Sequence, residues 1–504
     1  MILQSFTFVW VRALWEPRIL EWHWTAGWTF SGTRFVCARS LIKRFGLFCD
    51  KSPRVWNNQS DLAMLDTIYA LSTANGRAGI AVIRISGAGA GNVLRVLTRG
   101  DLPSPRRAIV TTFWAVGSEE ALDRGLALWF PGRGSFTGED VVELHIHGGT
   151  AVVAAVLEAI ATIPATRMAE PGEFTRRAFL NDKMDLTGAE GLADLIAAET
   201  EGQRRQALRQ ASGELGAVYE SWRLRLMQAL AHVEAAIDFP DEEIPDDILK
   251  IVRKDILGLK TEIAQHIDDN RKGERLRVGL NIAIVGPPNA GKSSLLNFLA
   301  GREAAIVSKT AGTTRDVIEV RMDLSGIAAI VSDTAGIRLA KGAVEAEGVR
   351  RARQRARDAD LRVVVLDGSI DRFERDSVYL APDTITVLNK SDKGSHCAEI
   401  PRGDLGVHRI SLIRGDGVQE FLSSLSRAVQ ALCDVGSAPV ITRARHREAA
   451  ADCCDSLRRS LDAALPELMA EDLRLGMRSL GRITGRFDVE DLLDIVFRDF
   501  CLGK

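Results

Sequence analysis

The spacing of hydrophobic positions changes along the chain and divides it into blocks. In residues 64–183, short runs rich in β-branched residues end at glycine-containing turns, as in GIAVIRISG, GLALWFPG and EDVVELHIHGG. Such runs predict β-strands separated by turns. We therefore expect an N-terminal domain of mixed α and β structure, of the α+β class.

A helical period begins after this block. Ala, Leu, Glu, Gln and Arg dominate residues 184–275, with apolar residues at helical spacing in ADLIAAETEGQRRQALRQ. Strand-like and helix-like segments alternate in residues 276–434, which predicts βαβ units on a mostly parallel sheet. The helical texture returns in residues 435–504. The pattern predicts an α/β domain inserted between two parts of an all-α domain.

Residues 1–63 differ from the rest of the chain. They show no helical or strand period, and they hold six of the nine tryptophans, Trp10, Trp15, Trp22, Trp24, Trp28 and Trp56. A transit peptide is one interpretation, and an upstream stretch that is not normally translated is another. We favour Met64 as the natural start and expect residues 1–63 to be disordered or not native.

Composition narrows the class of protein. The net charge is −2, so a nucleic-acid contact would need a local basic patch. The run Arg350–Arg357 is one candidate, although we favour a solvated helix face. The cysteines number seven. None forms a C-x-x-C pair, which argues against a disulfide framework or a zinc site and favours the cytoplasm. No run of about 18 apolar residues occurs, so we expect no membrane span.

The segment GPPNAGKS, residues 286–293, has the form of a phosphate-binding loop. It follows the strand-like VGLNIAIV and precedes the helix-like SLLNFLAG, which is the context that the motif requires. Its glycines let backbone N–H groups surround phosphates, and the helix N-terminus favours negative charge. We expect Lys292 to neutralise phosphate charge and Ser293 to bind Mg²⁺.

Three further motifs follow in the order found in GTP-binding domains. Thr314 in TAGTTRD is a second Mg²⁺ ligand candidate, and Asp333 and Gly336 in DTAG face the metal and the γ-phosphate. Asp392 in NKSD accepts from the amine and ring N–H of guanine, and Ser411 is expected to support the base. The expected GTP-binding residues are Asn289, Ala290, Gly291, Lys292, Ser293, Ser294, Ser308, Thr313, Thr314, Asp333, Thr334, Ala335, Gly336, Asn389, Lys390 and Asp392.

The hydrolytic machinery departs from that of Ras-like GTPases. A glutamine after the D-T-A-G motif orients the attacking water in those proteins, whereas this chain has Ile337. Glu345 is one candidate replacement, although it also fits an exposed carboxylate at a helix start. Asn289 is a second candidate, because its side-chain oxygen can help to hold a monovalent cation beside the phosphates.

Taken together, the motifs resemble the MnmE (TrmE) family of tRNA-modification GTPases. The resemblance runs from about Asp66 to Lys504. It is carried by GRAGIAVIRISG, SFTGEDVVELHIHGG, PGEFTRRAFLNDKMDL, EAAIDFPDEEI, GPPNAGKSSLLN, GTTRD, DTAGIR, NKSD and the terminal CLGK. The N-terminal segments and the tail are specific to this family, while the nucleotide motifs are shared with other small GTPases.

The resemblance implies three domains with distinct tasks. They are an N-terminal domain at 64–183 that binds tetrahydrofolate and dimerises, a helical domain at 184–275 and 435–504, and an inserted Ras-like G domain at 276–434. Members of the family work as a heterotetramer with the FAD protein MnmG. They add an aminomethyl or carboxymethylaminomethyl group to the wobble uridine of certain tRNAs, and their GTPase depends on K⁺.

The resemblance also assigns residues in this numbering. Glu345, twelve positions after Asp333, matches the catalytic glutamate, and Cys501 in the tail is a catalytic candidate. The Mg²⁺ ligands are Ser293 and Thr314. The K⁺ ligands by match are Asn289, Ser308, Thr310 and Thr313. The site for 5,10-methylene- or 5-formyl-tetrahydrofolate consists by match of Arg84, Glu143, Lys183 and Lys504.

The chain departs from the family pattern at two positions, and its sequence is compatible with two other functions. Ser308 stands where Thr is common and His145 where Gln is frequent, and a metal pair of His145 with His147 is disfavoured. The first rival is a regulatory or ribosome-assembly switch GTPase, which needs neither a folate domain nor a cysteine tail. The second is a folate-dependent transferase with a structural G domain, which the intact nucleotide motifs disfavour.

Overall fold

The structure is a computed structural model. It describes residues 66–238, 248–302, 319–333, 354–370, 382–394, 403–434, 436, 438–487, 496–497, 500 and 503. The expectation for residues 1–63 therefore lies outside the described part.

The N-terminal domain is built on one mixed sheet. Its described strands are β1 Thr67–Leu71, β2 Ile80–Ser86, β3 Ile109–Trp114, β4 Ala121–Phe130, β5 Val141–His147 and β6 Thr166–Met168. Their order is β3-β4-β5-β2-β1-β6. The β1–β6 pair is parallel, and the other pairs are antiparallel. The strands predicted from GIAVIRISG, GLALWFPG and EDVVELHIHGG are thereby confirmed.

Alternation along the strands divides the side chains between the two faces of this sheet. Helices α1 Ala90–Thr98, α2 Thr150–Ala161 and α3 Glu173–Leu180 accompany it. Ile83, Ile85 and Leu144 are fully buried in its core. Because successive strand residues point to opposite faces, Arg84 and Glu143 lie on the face away from that core.

The chain then enters a helical region with α4 Leu186–Ala197, α5 Glu201–Ala211, α6 Glu214–Asp238 and α7 Ile248–Ile267. In α6 the buried positions recur at helical spacing, with Tyr219, Trp222 and Leu226 at its centre. Truncating a fully buried leucine such as Leu226 to alanine costs about 2–5 kcal/mol.

The segment ADLIAAETEGQRRQALRQ forms two helices rather than one continuous helical stretch. The break follows Ala197, and Thr200 caps the start of α5. The Thr200 side chain accepts from the N–H of Gln203, and the Gln203 side chain accepts from the N–H of Thr200. This reciprocal T-x-x-Q pattern satisfies two unpaired helix donors and was the sequence signal for the break.

The G domain contains a second sheet. Its described strands are β7 Leu280–Val285, β8 Glu319–Leu324, β9 Ile327–Asp333, β10 Leu361–Asp367, β11 Thr384–Asn389 and β12 Val407–Arg409, and its helices are α8 Lys272–Val278, α9 Lys292–Ala300 and α10 Val418–Cys433. The order is β12-β11-β10-β7-β9-β8. The pairs are parallel except β8 with β9, which confirms the predicted mostly parallel sheet.

After the G domain the chain returns to the helical region as α11 Ala444–Asp462 and α12 Pro466–Thr484. Leu457, Leu473 and Leu480 pack into the same apolar core as the buried residues of α6 and α7. Cys453 belongs to that core and is fully buried, so the helix-packing interpretation of this cysteine is confirmed. Burial also raises the pKa of its thiol. Among the described helices, none combines the length and apolarity needed to cross a bilayer.

Contacts at several points join the G domain to the helical region. The N–H of Gly202, in the first turn of α5, donates to the carbonyl of Gly326 at the β8–β9 turn over 2.8 Å. Nε2 of Gln203 in α5 donates to the carbonyl of Arg277 in α8 over 3.0 Å. The hairpin that ends at Asp333 therefore rests on a helix of the neighbouring domain.

Candidate functional site

The phosphate-loop motif forms the connection between β7 and α9. Gly286 follows the strand at φ 145°, and a Cβ there would lie 2.1 Å from the carbonyl oxygen of Val365. Gly291 caps α9 at φ 101°, and a Cβ there would lie 2.2 Å from Nδ2 of Asn389. Since side chains are excluded on both steric and conformational grounds, both positions require glycine.

Lys292 is the first residue of α9 and is almost fully buried. Its ammonium donates to the carbonyls of Gly286 at 2.9 Å and Pro287 at 2.8 Å. Burial lowers the pKa of Lys292, and the nearby Asp333 carboxylate opposes that shift. The ammonium thus lies inside the loop, at the positive end of a helix.

Ser293 and Asp333 meet at the same edge of the sheet. The Ser293 hydroxyl donates to Oδ2 of Asp333 over 2.6 Å, and Asp333 is buried at the end of β9. Hydroxyl and carboxylate oxygens are hard donors of the kind that Mg²⁺ prefers. These two residues therefore fit the expected metal.

The NKSD motif begins at Asn389, the last residue of β11, which lies two strands from β7 in the sheet. Nδ2 of Asn389 donates to the carbonyl of Ala290 over 3.0 Å, which ties the base-recognition loop to the phosphate loop. The buried Ser411 donates its hydroxyl to Oδ1 of Asp392 over 2.7 Å. This bond is the main reason that the pKa of Asp392 lies below its ordinary value. The hydroxyl of Ser411 thus contacts the aspartate that is expected to recognise guanine.

Asp367 belongs to this site and was not singled out from the sequence. It is the last residue of β10 and lies opposite Asn389 in the parallel register. Its Oδ2 is 2.5 Å from Nζ of Lys390, which also donates to the carbonyl of Asn289 at 2.8 Å. The available signal was an acidic residue directly after the apolar strand LRVVVL.

In the N-terminal domain, Arg84 and Glu143 face each other across β2 and β5. Nε and Nη2 of Arg84 lie 3.1 Å and 2.8 Å from Oε1 of Glu143. The guanidinium also lies over the ring of Phe136, 5.1 Å from its centre. Lys183 donates to the carbonyl of Arg133 at 2.7 Å, and the described contacts do not join it to the Arg84–Glu143 pair.

The end of the chain returns to this domain. The carbonyl of Gly503 accepts from the hydroxyl of Ser72 at 2.9 Å. Ser72 follows β1, where Ala70 is the cross-strand neighbour of Arg84. Phe497 packs against Phe179, with 6.5 Å between ring centres. Gly503 is thus held beside the strand next to Arg84.

His145 and His147 have separate acidic partners. Nε2 of His145 is 3.5 Å from Glu143, while Nδ1 of His147 is 2.8 Å from Asp123. Within the described residues, no three or more His, Cys, Asp or Glu side chains converge as a metal site.

Ten of the expected site residues lie outside the described part of the chain. They are Ser308, Thr310, Thr313, Thr314, Thr334, Ala335, Gly336, Glu345, Cys501 and Lys504.

Comparison with known proteins adds to this geometry. A family profile described as "MnmE helical domain" matches residues 186–501, and one described as "GTP-binding protein TrmE N-terminus" matches residues 67–183. The tRNA modification GTPase MnmE of Parvibaculum lavamentivorans is 58% identical over 445 residues, covering 87% of this chain and 100% of its own. The mitochondrial 5-taurinomethyluridine-[tRNA] synthase subunit GTPB3 of Homo sapiens is 47% identical over 461 residues, covering 87% and 93%.

Among solved structures, the G domain of the T. maritima FeoB iron transporter aligns with 30% of this chain and 99% of its own, at 23% identity and a TM-score of 0.22. That superposition is too poor to carry an argument. The sequence relatives cover most of both chains, and the two profiles flank and span the inserted G domain. The chain therefore belongs to the MnmE (TrmE) family.

Proposed function

We propose that this protein is a K⁺-dependent GTPase that modifies tRNA. With an FAD-dependent partner of the MnmG type and a folate one-carbon donor, it adds an aminomethyl or carboxymethylaminomethyl group to the wobble uridine. The observation that carries the GTPase part is the meeting of Lys292, Ser293, Asp333 and Asp392 at one edge of the G-domain sheet. The tRNA part rests on family membership.

The GTP site assigns a task to each of these side chains. Asp392, held ionised by Ser411, accepts from the amine and ring N–H of guanine. An ammonium has three donors, and Lys292 uses two of them on loop carbonyls, so a third serves a phosphate oxygen. Ser293 would ligate Mg²⁺ and Asp333 would hold the water shell of the ion; the bound metal would supply positive charge beside the phosphoryl group that is transferred.

Hydrolysis is proposed to use K⁺ and Glu345 instead of a water-orienting glutamine. The hydrogen bond from Lys390 holds the carbonyl of Asn289 in the phosphate loop, which supports Asn289 as a K⁺ ligand. We propose the further K⁺ ligands Ser308, Thr310 and Thr313, and Thr314 as the second Mg²⁺ ligand. Glu345 takes the general-base or water-positioning task that Ile337 cannot perform.

The folate site is proposed at Arg84, Glu143, Lys183 and Lys504. The first two residues suit the ligand chemically. A carboxylate accepts from a pterin edge, while cations suit the glutamate tail. Side chains of Arg84 and Glu143 are 15% and 20% exposed, so the pair is shielded yet reachable. Tetrahydrofolate, when bound, supplies the one-carbon unit. We propose that Cys501 acts close to that unit, because Gly503, two residues further along the chain, lies beside β1, the strand next to Arg84.

A homodimer is proposed on the face of the N-terminal sheet that carries Arg84. Val110 pairs with Leu126 across β3 and β4 on that face, and Ile80 pairs with His147. Val110 and Ile80 are 65% and 63% exposed and Leu126 is 37% exposed. A second copy would remove this apolar surface from water.

We also propose the three-domain division given above and a cytoplasmic location. The three described cysteines, Cys433, Cys453 and Cys454, are free thiols, which is compatible with a reducing compartment.

The test is GTP turnover by the full chain in K⁺ and in Na⁺ buffer, with Glu345→Ala alongside. We expect strong stimulation by K⁺ that disappears in the variant. Equal rates in both salts would refute the cation mechanism.

Folate binding, measured by calorimetry for the wild type and Arg84→Ala, separates the proposal from a switch GTPase, since a pure switch needs no folate. Full tRNA modification in cells that carry Cys501→Ser would exclude a catalytic role of this thiol.

A further inference from the structure

We propose that Asp367 is a positioning residue for the GTPase reaction, which fixes Lys390 and, through it, the phosphate-loop residue Asn289. The inference rests on the proposed GTPase function and adds a residue to it. In the described part of the chain, the partners of the Asp367 carboxylate are Ser369 and Lys390 and not Ser293, Asp333 or Asp392, so its effect on those residues is indirect.

The two oxygens of Asp367 have different partners. Oδ1 accepts from the N–H and the hydroxyl of Ser369 at 3.1 Å and 2.6 Å, which orients the carboxylate at the end of β10. Oδ2 faces Nζ of Lys390 at 2.5 Å. Burial disfavours the ionised carboxylate, but the bonds from Lys390 and Ser369 outweigh it and keep the pKa of Asp367 below its usual range. The carboxylate is thus a fixed anionic anchor.

Lys390 passes this anchoring to the phosphate loop. Its ammonium donates to the carbonyl of Asn289 over 2.8 Å, and Asn389, the preceding residue, donates to the carbonyl of Ala290 over 3.0 Å. Two consecutive residues of the base loop therefore hold two consecutive carbonyls of the phosphate loop. The lysine is the longer and more flexible of the two donors, and Asp367 is what restrains it.

Asn289 needs that restraint. Its φ is 61°, in the left-handed region that non-glycine residues adopt at a steric cost, with asparagine among the most tolerant. Lys390 lies at φ 64° in the same region. A charged donor on the Asn289 carbonyl stabilises this conformation. Without it, the loop is expected to sample other conformations that bind phosphate and cation less well.

The variant Asp367→Asn tests the idea with little change of shape. It keeps a carbonyl oxygen for Ser369 and replaces the anion facing Lys390. A hydrogen bond to a charged group contributes enough that its loss changes an equilibrium about tenfold or more. We expect about a tenfold rise in the Kd for a fluorescent GDP analogue and in the K⁺ concentration for half-maximal turnover. The kcat at saturating GTP and K⁺ should stay within about threefold of wild type.

Asp404→Asn is the matched control. Asp404 accepts from the N–H groups of Thr384 at 2.9 Å and Asp383 at 3.0 Å. These residues lie at the opposite end of β11 from the nucleotide site, so this variant removes a hydrogen-bonded carboxylate from the same domain. We expect its nucleotide affinity and K⁺ response to match wild type.

A double variant identifies the route of the effect. If Asp367 acts through Lys390, Asp367→Asn combined with Lys390→Met should bind GDP no more weakly than Lys390→Met alone. The proposal is overturned if Asp367→Asn binds like wild type, if Asp404→Asn loses as much affinity, or if the two losses simply add. A wild-type protein that fails to bind GTP rejects the proposed function instead. One that binds GTP and ignores K⁺ rejects only the potassium proposal, and the GDP affinities still decide the role of Asp367.

Discussion

Glu190 joins the two parts of the helical domain, and replacing it with glutamine is the strongest test of that joint. It lies in α4 and is 1% exposed. Its carboxylate accepts from Nε of Arg445 at 2.7 Å and from Nε2 of His446 at 2.9 Å, and pairs with Arg443 at 3.3 Å. The histidine is 256 residues away along the chain. The variant therefore breaks contacts between segments that precede and follow the G domain.

The magnitude follows from burial and charge. Burial disfavours the ionised form of Glu190, but His446 and Arg445 outweigh this and lower its pKa. Burial lowers the pKa of His446, so its imidazole is neutral and donates Nε2–H to the ionised carboxylate of Glu190. Removing one member of a buried ion pair costs about 3–5 kcal/mol. Glutamine keeps the shape and one acceptor, so we expect about 3 kcal/mol.

Hydrogen exchange measured by mass spectrometry is the assay, because a multidomain chain does not unfold in one step. Glu190→Gln should reduce the protection of peptides from α4 and α11. The control is Glu201→Gln, since Glu201 also lies between two arginines, Arg204 at 2.7 Å and Arg205 at 2.6 Å, but on the surface. It should change nothing measurable. Unchanged protection in Glu190→Gln, or an equal loss in the control, would refute the reasoning.

The same pair sets the direction of the pH dependence. Glu190 has a folded pKa below its ordinary 4.5, so its contribution is present above that value and is lost as the pH falls. His446 has a folded pKa below its ordinary 6.5, so protonation of the unfolded chain reduces stability below that pH. Protection of α4 and α11, corrected for intrinsic exchange rates, should therefore decrease from pH 7 to pH 5. Constant or rising protection would contradict the assignment of a neutral histidine.

Two further substitutions test the domain contact and the base pocket. Gly202→Ala places a Cβ 2.6 Å from the carbonyl of Gly326, so hydrogen exchange in the β8–β9 hairpin should rise. The control is Gly258→Ala, whose Cβ has nothing within 4 Å and which should stabilise α7 by about 0.5–1 kcal/mol. Equal effects of the two substitutions would exclude a steric contact at Gly202. Ser411→Ala removes the hydroxyl that lowers the pKa of Asp392, so GTP affinity measured by fluorescence titration should fall and should be lost at a higher pH on acidification, and an unchanged pH profile would count against that bond.

Local patterns were sufficient for the secondary structure and for the nucleotide motifs. The runs before and after GPPNAGKS are β7 and α9, as predicted, because a β-branched run and a helical period act over a few residues. Lys292, Ser293 and Asp333 were identified because their motifs are contiguous and follow apolar strands. The T-x-x-Q cap at Thr200 was also present in the sequence, and it was missed because the apolar period continues across it.

The interactions that organise the molecule over long distances were not readable in this way. Asp367 reaches Lys390 because β10 and β11 are parallel neighbours. Glu190 reaches His446 because helices from before and after the G domain pack against each other. Gly503 lies beside Ser72 at a separation of 431 residues. A sequence specifies its turns and periods through neighbouring side chains, whereas the partner of a buried charge depends on which distant strand or helix packs against it.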